Sequence, residues 1–594
     1  MLSKSAPEFT SRNAQNDFMG NQSNRWWQKV VPNWHHELAS EGATVPYAIA
    51  GIVIGLMTGL VMVLFRSLFE LPLEYFFSGD PEDFESMPPW LYFVLPASGG
   101  LLLGILLQRF GQGHSQTGVA HTVHAVHNLH GRLPWQNALV QLFGGALALG
   151  TGMSVGREGP AVHLGSATAS LLGQRLGLPN NSLTILVGCG TAAAIAASFN
   201  TPIAGIIFAM EVVLMEYTIA GFMPIMLAAV CGTFVTRLVY GDIQVLPHAE
   251  GALTSLPELS WVMLVALATA TTSMVFVRLI KFWLRNGPSA IWARIALAGV
   301  ICGLCGLAAP QILGTGYDTL ASLVSESWLP ITFILVIIAK LIASSACVGL
   351  GVPGGMIGPA LFIGASVGGL IGYAGTILMP GLAIDSELYV LLGMAAMMAA
   401  MLNAPLAALL ALVELTWNPA MIFPGLLVIT VTNITHRSLF RQPSAVAATL
   451  THFGITVAND PMSLALQRRG VTSLMSSSFQ HSPRHLSVEQ LDKLQATKPD
   501  WILVEEDNKL RAIKGGELNE ISAGNTEENV DLLSSSHHRP TITIDNTASL
   551  KQAWLDLNKH KVRVLLIRRT STTNNQGILG VLTRNNIEQN IWKT

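Results

Sequence analysis

Hydrophobic positions dominate the chain from Pro46 to about Val446, where apolar segments alternate with short polar breaks. The long apolar segments, each a predicted membrane-crossing helix, cover residues 46–69, 90–109, 220–240, 257–283, 291–308, 330–350 and 385–402. Shorter segments, interrupted by Gly and Pro and predicted to be too short to cross singly, cover residues 137–152, 160–177, 183–198, 202–216, 359–379, 405–417 and 420–436. Irregular backbone at membrane depth is tolerated only beside protein or a water-filled cavity. The broken helices therefore indicate a pathway through this region.

The segments that flank this region are polar. Residues 1–44 are predicted to form a cytoplasmic N-terminal arm, because they hold no apolar core of a signal peptide. Basic residues stand on both sides of the membrane region, at Arg25 and Lys29 before it and at Arg468 and Arg469 after it. Since Lys and Arg accumulate in cytoplasmic loops, we expect both termini to lie in the cytoplasm.

The pattern changes again in the C-terminal tail. Short β-branched runs, such as Trp501–Val504 and Val562–Ile567, alternate with helical stretches such as Leu550–Lys559. This alternation predicts a soluble α/β module built from two similar pieces. The predicted divisions are a linker at residues 451–470, a first repeat at 471–520, a second linker at 521–538 and a second repeat at 539–594.

Composition narrows the class of protein further. Only 12% of the 594 residues are charged and 50% are apolar, whereas soluble domains are about 25% charged. A surface so poor in charge suits a lipid bilayer, and the long unbroken apolar runs exclude an outer-membrane barrel. The formal net charge of −2 gives no attraction for polyanions, so nucleic acid is not an expected partner.

All five cysteines lie in apolar stretches, and no disulfide framework is expected. Cys302 and Cys305 form a C-x-x-C pattern, but a redox pair requires an accessible, electropositive setting. We therefore interpret both as small core residues.

Two repeated patterns indicate that the membrane region is a duplicated half. Asn, Pro, Ala and Glu occupy matching positions in Phe199–Glu211 and in Leu402–Glu414. A second pair of segments, Gly156–Pro160 and Gly355–Pro359, recurs at nearly the same offset. Transporters built from repeats place their binding site at the repeat interface, where broken helices meet. The sequence leaves open whether the two halves are parallel or inverted.

The segment Gly156–Pro160, with the sequence Gly-Arg-Glu-Gly-Pro, opens an apolar helix. Glycine allows close approach of the backbone, and proline in the first turn gives up only an N–H that lacks a helical partner. The free amides and the positive end of the helix dipole then favour an anion. Because Gly355–Pro359 repeats the pattern, we expect two helix N-termini to converge on an anion at mid-membrane.

Glu158 is the candidate gating residue of this segment. A carboxylate beside an anion site competes with the anion, and it withdraws when it is protonated. Ionisable residues inside a membrane are functional by default. The alternative is an ion pair between Glu158 and Arg157 that fixes the loop, and we favour this role for Arg157.

Two further groups of polar residues have a structural interpretation beside a functional one. Glu211 and Glu414 are either proton relays or residues with capping or packing roles. Five histidines lie close together, at His114, His121, His124, His127 and His130. No Cys or acidic ligand accompanies them, so we expect a polar helix end that faces the membrane interface, and no metal site.

In these motifs the chain resembles the CLC family of chloride channels and proton–chloride exchangers. The resemblance covers roughly residues 45–450. The motifs that carry it are GREGP at 156–160, GMIGP at 355–359 in place of the usual GxFxP, FNTPIAG at 199–205 and NAPLA at 403–407. It implies an all-α polytopic membrane domain with an inverted repeat and broken helices. It also implies a homodimer with a separate pore in each subunit.

The resemblance implies that Glu158 is the external gating glutamate, whose side chain mimics and displaces a chloride ion. It further implies a set of residues around the anion path. These are Thr117, Gly118, Gly156, Arg157, Gly159, Gly355, Met356, Ile357, Gly358 and Ala445.

The chain departs from the family pattern at three positions. The Gly-Ser-Gly-x-Pro anion loop of the family is Gln116–Ala120 here, and Thr117 replaces its serine. Threonine keeps a hydroxyl donor, so chloride stays the expected ion. Val212 stands where exchangers have a glutamate as internal proton relay, and valine cannot carry a proton. The pore-lining tyrosine falls at Ala445, or at Val446 if the register slips by one residue, which predicts a wider inner gate.

The tail resembles a pair of CBS domains, a regulatory module of many CLC members. Its clearest mark is Gly580–Asn586, close to the pattern G-h-h-[ST]-x-x-D. Thr583 keeps the hydroxyl of the pattern, whereas Asn586 replaces the Asp that would contact a nucleotide ribose. One interpretation is adenine nucleotide binding through Thr583 and Asn586. The other, which we favour, is a tail that stabilises the structure or the dimer.

The sequence thus predicts passive chloride conduction through a pore that Glu158 gates, with sensitivity to pH and voltage. A proton–chloride antiporter with weak or atypical coupling is the alternative. The chain carries no motif of an intramembrane enzyme, and no cofactor is expected to be required beside the transported chloride. The expected location is a bacterial inner membrane.

Overall fold

The computed structural model describes residues 44–76, 83–111, 116–242, 253, 257–325, 328–379, 385–457, 461–506, 509–523, 529–534, 538–569 and 577–591. The predicted N-terminal arm, apart from its last residue, and His114 lie outside the described residues.

The described part of the membrane region is helical throughout. Its helices are α1 (Thr44–Phe76), α2 (Leu91–Phe110), α3 (Gly118–Asn128), α4 (Trp135–Gly150), α5 (Glu158–Leu176), α6 (Asn180–Phe199), α7 (Pro202–Phe208), α8 (Ile219–Tyr240), α9 (Glu258–Asn286), α10 (Ile291–Ala308), α11 (Tyr317–Ser325), α12 (Pro330–Leu350), α13 (Ile357–Leu378), α14 (Ser386–Leu402), α15 (Pro405–Thr416), α16 (Ile422–Ile434) and α17 (Ala445–His452). Wider π-helical turns extend α7 through Ala209–Leu214 and α16 through Thr435–Leu439.

The predicted apolar segments coincide with these helices to within a few residues, except at the ends of α1. Nine helices of the described residues are long and apolar enough to cross a membrane. Three of them, at 180–199, 357–378 and 419–439, were predicted to be too short, and this prediction was wrong. The segment 385–402 was predicted to cross, but Ser386–Leu402 is one of the shorter apolar helices. The glycines of the helices at 180–199 and 357–378 pack rather than break the helix. At Gly364, for example, a Cβ atom would lie 2.6 Å from the Cβ of Met397, so glycine lets α13 approach α14 closely.

The two halves contact each other reciprocally at the repeated Asn-x-Pro motifs. The Glu211 carboxylate accepts hydrogen bonds from the backbone N–H groups of Leu406 (3.3 Å) and Ala407 (2.8 Å) at the start of α15. The Glu414 carboxylate in turn accepts from Ile203 (2.9 Å) and Ala204 (2.7 Å) at the start of α7. Each glutamate therefore caps the corresponding helix of the opposite half. Such reciprocal contacts arise when the two halves are related by a two-fold axis, as an inverted repeat requires.

The tail folds as strands and helices around one main sheet. Its strands are β1 (Phe479–Ser482), β2 (His485–Ser487), β3 (Trp501–Glu506), β4 (Lys509–Lys514), β5 (Asn529–Asp531), β6 (Arg539–Asp545), β7 (Val564–Arg568) and β8 (Ile578–Thr583). Its helices are α18 (Pro461–Gln467), α19 (Val488–Thr497), α20 (Leu518–Ala523), α21 (Leu550–His560) and α22 (Arg584–Ile591).

The two pieces of the tail share one topology. The strand order of the main sheet is β1-β3-β4-β6-β7-β8. In each half of this order the first pair of strands is parallel and the second is antiparallel. Each piece also contains a helix that begins with a Ser-x-x-Gln capping box, at Ser487 and at Ser549. The six strands thus repeat one three-stranded unit.

The second piece of the tail contacts the membrane region at α6, and α18 in the predicted linker contacts it at α3. At the start of α6, the Asn180 backbone N–H donates to the Thr547 carbonyl and its side-chain amide donates to Gln552, both at 2.9 Å. The Gln467 amide donates to the Val126 carbonyl near the end of α3, at 2.8 Å. The Gln467 bond joins α18 to α3, the helix whose other end carries Thr117 and Gly118.

An ion pair within the tail provides a prediction about pH. The Arg484 guanidinium donates to both carboxylate oxygens of Asp531 at 3.0–3.2 Å, and these bonds lower the pKa of Asp531 below its ordinary value. Stabilisation is therefore present above the ordinary Asp pKa of about 3.9 and is lost as the pH falls below it. Both side chains are partly exposed, so we expect Asp531→Asn to cost about 1 kcal/mol or less at pH 7.

Amide hydrogen exchange of the full-length protein measures this effect. Peptides that cover β2 and β5 should exchange up to about fivefold faster in Asp531→Asn at pH 7, and the difference should shrink as the pH falls below about 3.9. Lys493→Ala, which removes an exposed pair with Glu489, is the matched control with a smaller expected change. Equal exchange of the wild type and Asp531→Asn at pH 7 would contradict the prediction.

Candidate functional site

Two loops from opposite halves pair directly at the starts of α5 and α13. Gly156 donates its backbone N–H to the Gly355 carbonyl at 2.8 Å, and Gly355 donates to the Gly156 carbonyl at 2.7 Å. This antiparallel bridge brings the two helix N-termini together. The sequence predicts this convergence from the repeated Gly-x-x-Gly-Pro segments.

The close approach of these loops requires glycine at position 159. A Cβ atom on Gly159 would lie 2.6 Å from the Cα of Gly355 and 2.9 Å from the carbonyl oxygen of Gly354. Both distances are shorter than van der Waals contact, and the neighbouring atoms belong to the backbone. Any side chain at this position would push the two N-termini apart.

A third loop, which starts α3, joins the same group. Thr117 is the extended N-cap residue of α3, and Gly118 has a φ of +72°, a backbone conformation that favours glycine. The Gly118 N–H donates to the side-chain oxygen of Gln141, whose amide nitrogen donates to the Pro353 carbonyl, both at 2.8 Å. Gln141 thus links the loop that carries Thr117 to the loop before α13.

Glu158 is completely buried at the start of α5. One of its carboxylate oxygens accepts a hydrogen bond from the Gly358 backbone N–H at 3.0 Å, and the other accepts one from the Tyr317 hydroxyl. Gly358 lies in the first turn of α13, where amides lack helical partners and the dipole is positive. The carboxylate of one half therefore occupies an anion position at the helix N-terminus of the other half.

Arg157 lies beside this carboxylate and contacts residues of other elements. Its guanidinium is 3.8 Å from the Glu70 carboxylate, donates to the Ser198 carbonyl at 3.3 Å and lies over the Tyr317 ring at 4.8 Å. These contacts fix Arg157 next to the site and give it Glu70 as an ion-pair partner.

The remaining predicted residues lie in one buried cluster. Met356 is the N-cap residue of α13 and Ile357 is its first residue, and both are buried. Ala445, predicted to replace a pore-lining tyrosine, is the first residue of α17 and fully buried, and Val446 follows it. Val212 is buried in the π-helical turn after α7. These side chains share a hydrophobic core with Phe199.

Three further residues of the site carry contacts that the sequence reasoning missed. They are Gln141, Tyr317 and the fully buried Lys340. Lys340 donates from its ammonium group to the carbonyls of Ile312 (2.8 Å) and Gly314 (3.3 Å). Lys340 is the only charged side chain of its apolar helix, a signal present in the sequence, whereas Gln141 and Tyr317 carry no such signal.

The histidine series does not form the predicted interface-facing helix end, because His121 and His127 are buried. Nδ1 of His121 lies 2.8 Å from Nε2 of His163 on α5, and His127 is 3.0 Å from the Val213 carbonyl. Pairing with buried partners compensates these imidazoles for the loss of water. Among the described residues, no group of three His, Cys, Asp or Glu could hold a metal ion.

At the end of the tail, Thr583 and Asn586 bond to each other. The Thr583 hydroxyl and the Asn586 side-chain oxygen share a hydrogen bond, and the Asn586 backbone N–H donates to Thr583 at 3.2 Å. The Asn586 amide also donates to the Leu474 carbonyl at 3.3 Å. Asn586 thus makes contacts within the start of α22 and with the first piece of the tail.

Comparison with known proteins identifies relatives of the membrane region. The family model described as "Voltage gated chloride channel" matches residues 99–437. The chain is 31% identical over 395 residues to a putative chloride channel protein ClcB-like of Ralstonia nicotianae, which covers 64% of this chain and 91% of that protein. It is 25% identical over 405 residues to an H(+)/Cl(-) exchange transporter ClcA of Vibrio campbellii, which covers 66% of this chain and 86% of that protein.

Two solved structures share the fold. A slow cyanobacterial Cl−/H+ antiporter superposes with a TM-score of 0.61 at 24% identity, over 68% of this chain and 98% of that one. A eukaryotic CLC transporter superposes with a TM-score of 0.60 at 16% identity, over 91% of this chain and 98% of the other. The second likeness extends into the tail.

Proposed function

The chain belongs to the voltage-gated chloride channel family, and from that premise we propose that it conducts chloride passively through a pore that Glu158 gates. It is an integral membrane protein and a chloride transporter of this family. The finer choice between a channel and an exchanger rests on individual residues of the site.

The observation that carries the proposal is the hydrogen bond between the Glu158 carboxylate and the Gly358 amide. A chloride ion at the same place would replace the carboxylate as the acceptor of that N–H. Because both are anions, they exclude each other from the helix N-terminus. Protonation neutralises the carboxylate, weakens its hold on the amide and lets chloride enter. Conduction should therefore rise as the pH falls.

The anion path we propose uses backbone amides and a hydroxyl rather than a fixed cation in contact with the ion. Partial charges bind an anion strongly enough to dehydrate it and weakly enough to release it. The residues assigned to the path are Thr117, Gly118, Gly156, Arg157, Gly159, Gly355, Met356, Ile357, Gly358 and Ala445. In this set Arg157 adds a long-range positive potential, because Glu70 and the Tyr317 ring hold its guanidinium beside the site.

Val212 supports the channel over the exchanger. Proton-coupled exchange requires a group on the inner side that accepts a proton, and the Val212 side chain is a buried hydrocarbon. The second candidate is a proton–chloride antiporter, and it is favoured by relatives named as exchange transporters. In that case another residue or a chain of water molecules replaces the relay.

The reversal potential of the purified protein in planar bilayers tests the proposal. A chloride gradient is held fixed while a proton gradient is added. For a passive channel we expect the reversal potential to remain at the chloride equilibrium value. A shift with the proton gradient would establish coupled exchange and contradict the role assigned to Val212.

The proposal includes the setting of the pore. We place both termini in the cytoplasm and the protein in a bacterial inner membrane as a homodimer, in line with the basic flanks and the bacterial relatives. For the tail we propose a structural role. The bonds of Asn586 to Thr583 and Leu474 support this role over adenine nucleotide binding, since they already engage its side chain.

A further inference from the structure

Tyr317 lies directly against the proposed gate. Its hydroxyl donates to the Glu158 carboxylate oxygen that Gly358 does not contact. The Phe199 ring meets the Tyr317 ring edge-on, with centroids 6.0 Å apart and an interplanar angle of 81°. The Arg157 guanidinium lies over the same ring at 4.8 Å from its centroid. The tyrosine is therefore held on several sides and is buried.

The backbone before Tyr317 is also fixed. Tyr317 is the first residue of α11 and follows Gly316, whose φ of +78° favours glycine. The ammonium group of Lys340 on α12 donates to the carbonyls of Ile312 and Gly314 in the same loop. A buried cation that is bonded to these carbonyls holds the loop in one conformation. The Tyr317 hydroxyl is thereby presented to Glu158 without further rearrangement.

The two hydrogen bonds to Glu158 differ in what they do when chloride arrives. The Gly358 amide can donate either to the Glu158 carboxylate or to a chloride ion in its place. It therefore favours neither the carboxylate-occupied state nor the chloride-occupied state strongly. The Tyr317 hydroxyl bonds to the carboxylate in its observed position, and this bond is lost when the side chain leaves. A hydrogen bond to a charged acceptor is among the stronger ones in a buried site. The Tyr317 hydrogen bond therefore favours the arrangement in which the Glu158 carboxylate lies in the proposed anion path, by about tenfold.

We infer that Tyr317 is a positioning residue, whose hydroxyl holds the Glu158 carboxylate in the anion path and so lowers the chloride flux at neutral pH. The inference rests on the proposed gating by Glu158 and adds the residue that sets how readily the gate leaves its closed position. It assigns no contact between Tyr317 and chloride.

Chloride efflux from proteoliposomes at pH 7.5 tests the inference, with the rate expressed per molecule of folded protein. Tyr317→Phe removes only the hydroxyl and keeps the ring against Phe199 and Arg157. We expect about tenfold faster efflux, together with a lower chloride concentration at half-maximal rate, because the carboxylate competes less well with the ion. Tyr389→Phe is the matched control, since the Tyr389 hydroxyl is buried without a hydrogen-bond partner among the described residues.

The same substitution in a Glu158→Ala background separates positioning from general packing. With no carboxylate to hold, Tyr317→Phe should change the efflux rate by less than about twofold. An equal acceleration in both backgrounds, or no acceleration in the wild type, would overturn the inference. If Glu158→Ala itself leaves the rate of the wild type unchanged, the proposed gate fails. If Glu158→Ala accelerates efflux and Tyr317→Phe does not, the role of Tyr317 alone fails.

Discussion

Glu158→Ala is expected to raise the chloride flux at pH 7.5 by at least about tenfold and to remove most of its dependence on pH. The substitution takes away the carboxylate that occupies the N-terminus of α13 and leaves the Gly358 amide to the transported ion. The wild-type flux should rise as the pH falls, because protonation weakens the same contact. Efflux from proteoliposomes between pH 4.5 and 8.5 measures both effects.

Glu70→Gln is the matched control for this experiment. Glu70 is a second buried carboxylate close to the site, where it lies 3.8 Å from Arg157. It makes no contact with Gly358 in the described structure, so its neutralisation should leave the shape of the pH profile intact. A flux of Glu158→Ala that still rises steeply with acidity would place the pH sensor at another residue. An unchanged flux at pH 7.5 would remove Glu158 as the gate.

The proposed gate and the proposed anion site are supplied by different halves of the duplication. Glu158 begins α5 in the first half, whereas the amide that it occupies belongs to α13 in the second. The bridge between Gly156 and Gly355 holds the two in register. A gate of this kind needs no large motion, because a side-chain rotation suffices to exchange one anion for another.

Much of this arrangement could be predicted from the sequence, because repeated motifs report a repeated geometry. Asn200 and Asn403 recur in the two copies, and both adopt a left-handed backbone at the end of a helix. Glycine and proline at the starts of α5 and α13 likewise predict backbone amides that have no helical hydrogen-bond partner and can bind an anion. The boundaries of most membrane helices could be predicted from the extent of the apolar segments. The helices at 180–199 and 357–378 were exceptions, because glycine breaks a helix in isolation but permits close packing in a bundle.

The contacts that complete the site could not be predicted in this way. Tyr317 reaches Glu158 across more than 150 residues of chain, and no local pattern reports such a contact. Gln141 joins two loops that are distant in sequence, and its role depends on backbone groups, which every residue has. The histidines illustrate the opposite error, since the lack of metal ligands beside them suggested a helix end at the membrane interface, although His121 is buried and pairs with His163 on another helix. Long-range partners of buried polar groups are fixed by tertiary packing.

Gly159→Ala is expected to reduce chloride flux by about tenfold or more and to destabilise the protein by about 1–3 kcal/mol. The added methyl group would lie 2.6 Å from the Cα of Gly355, so the bridge between the two loops must open. The Gly358 amide would then move away from the start of α5. Thermal unfolding in detergent measures the loss of stability, and efflux per folded protein measures the loss of function.

Gly150→Ala is the matched control, because the new methyl group would meet only the Cβ of Phe69, at 4.0 Å. Gly150 is the last residue of α4, where alanine is favourable for the helix. The control should therefore keep both stability and flux. If Gly159→Ala lowers stability while the flux per folded molecule stays at the wild-type level, close pairing of the loops is a packing feature alone. A loss of flux larger than the control shows instead that the two N-termini must meet for chloride to pass.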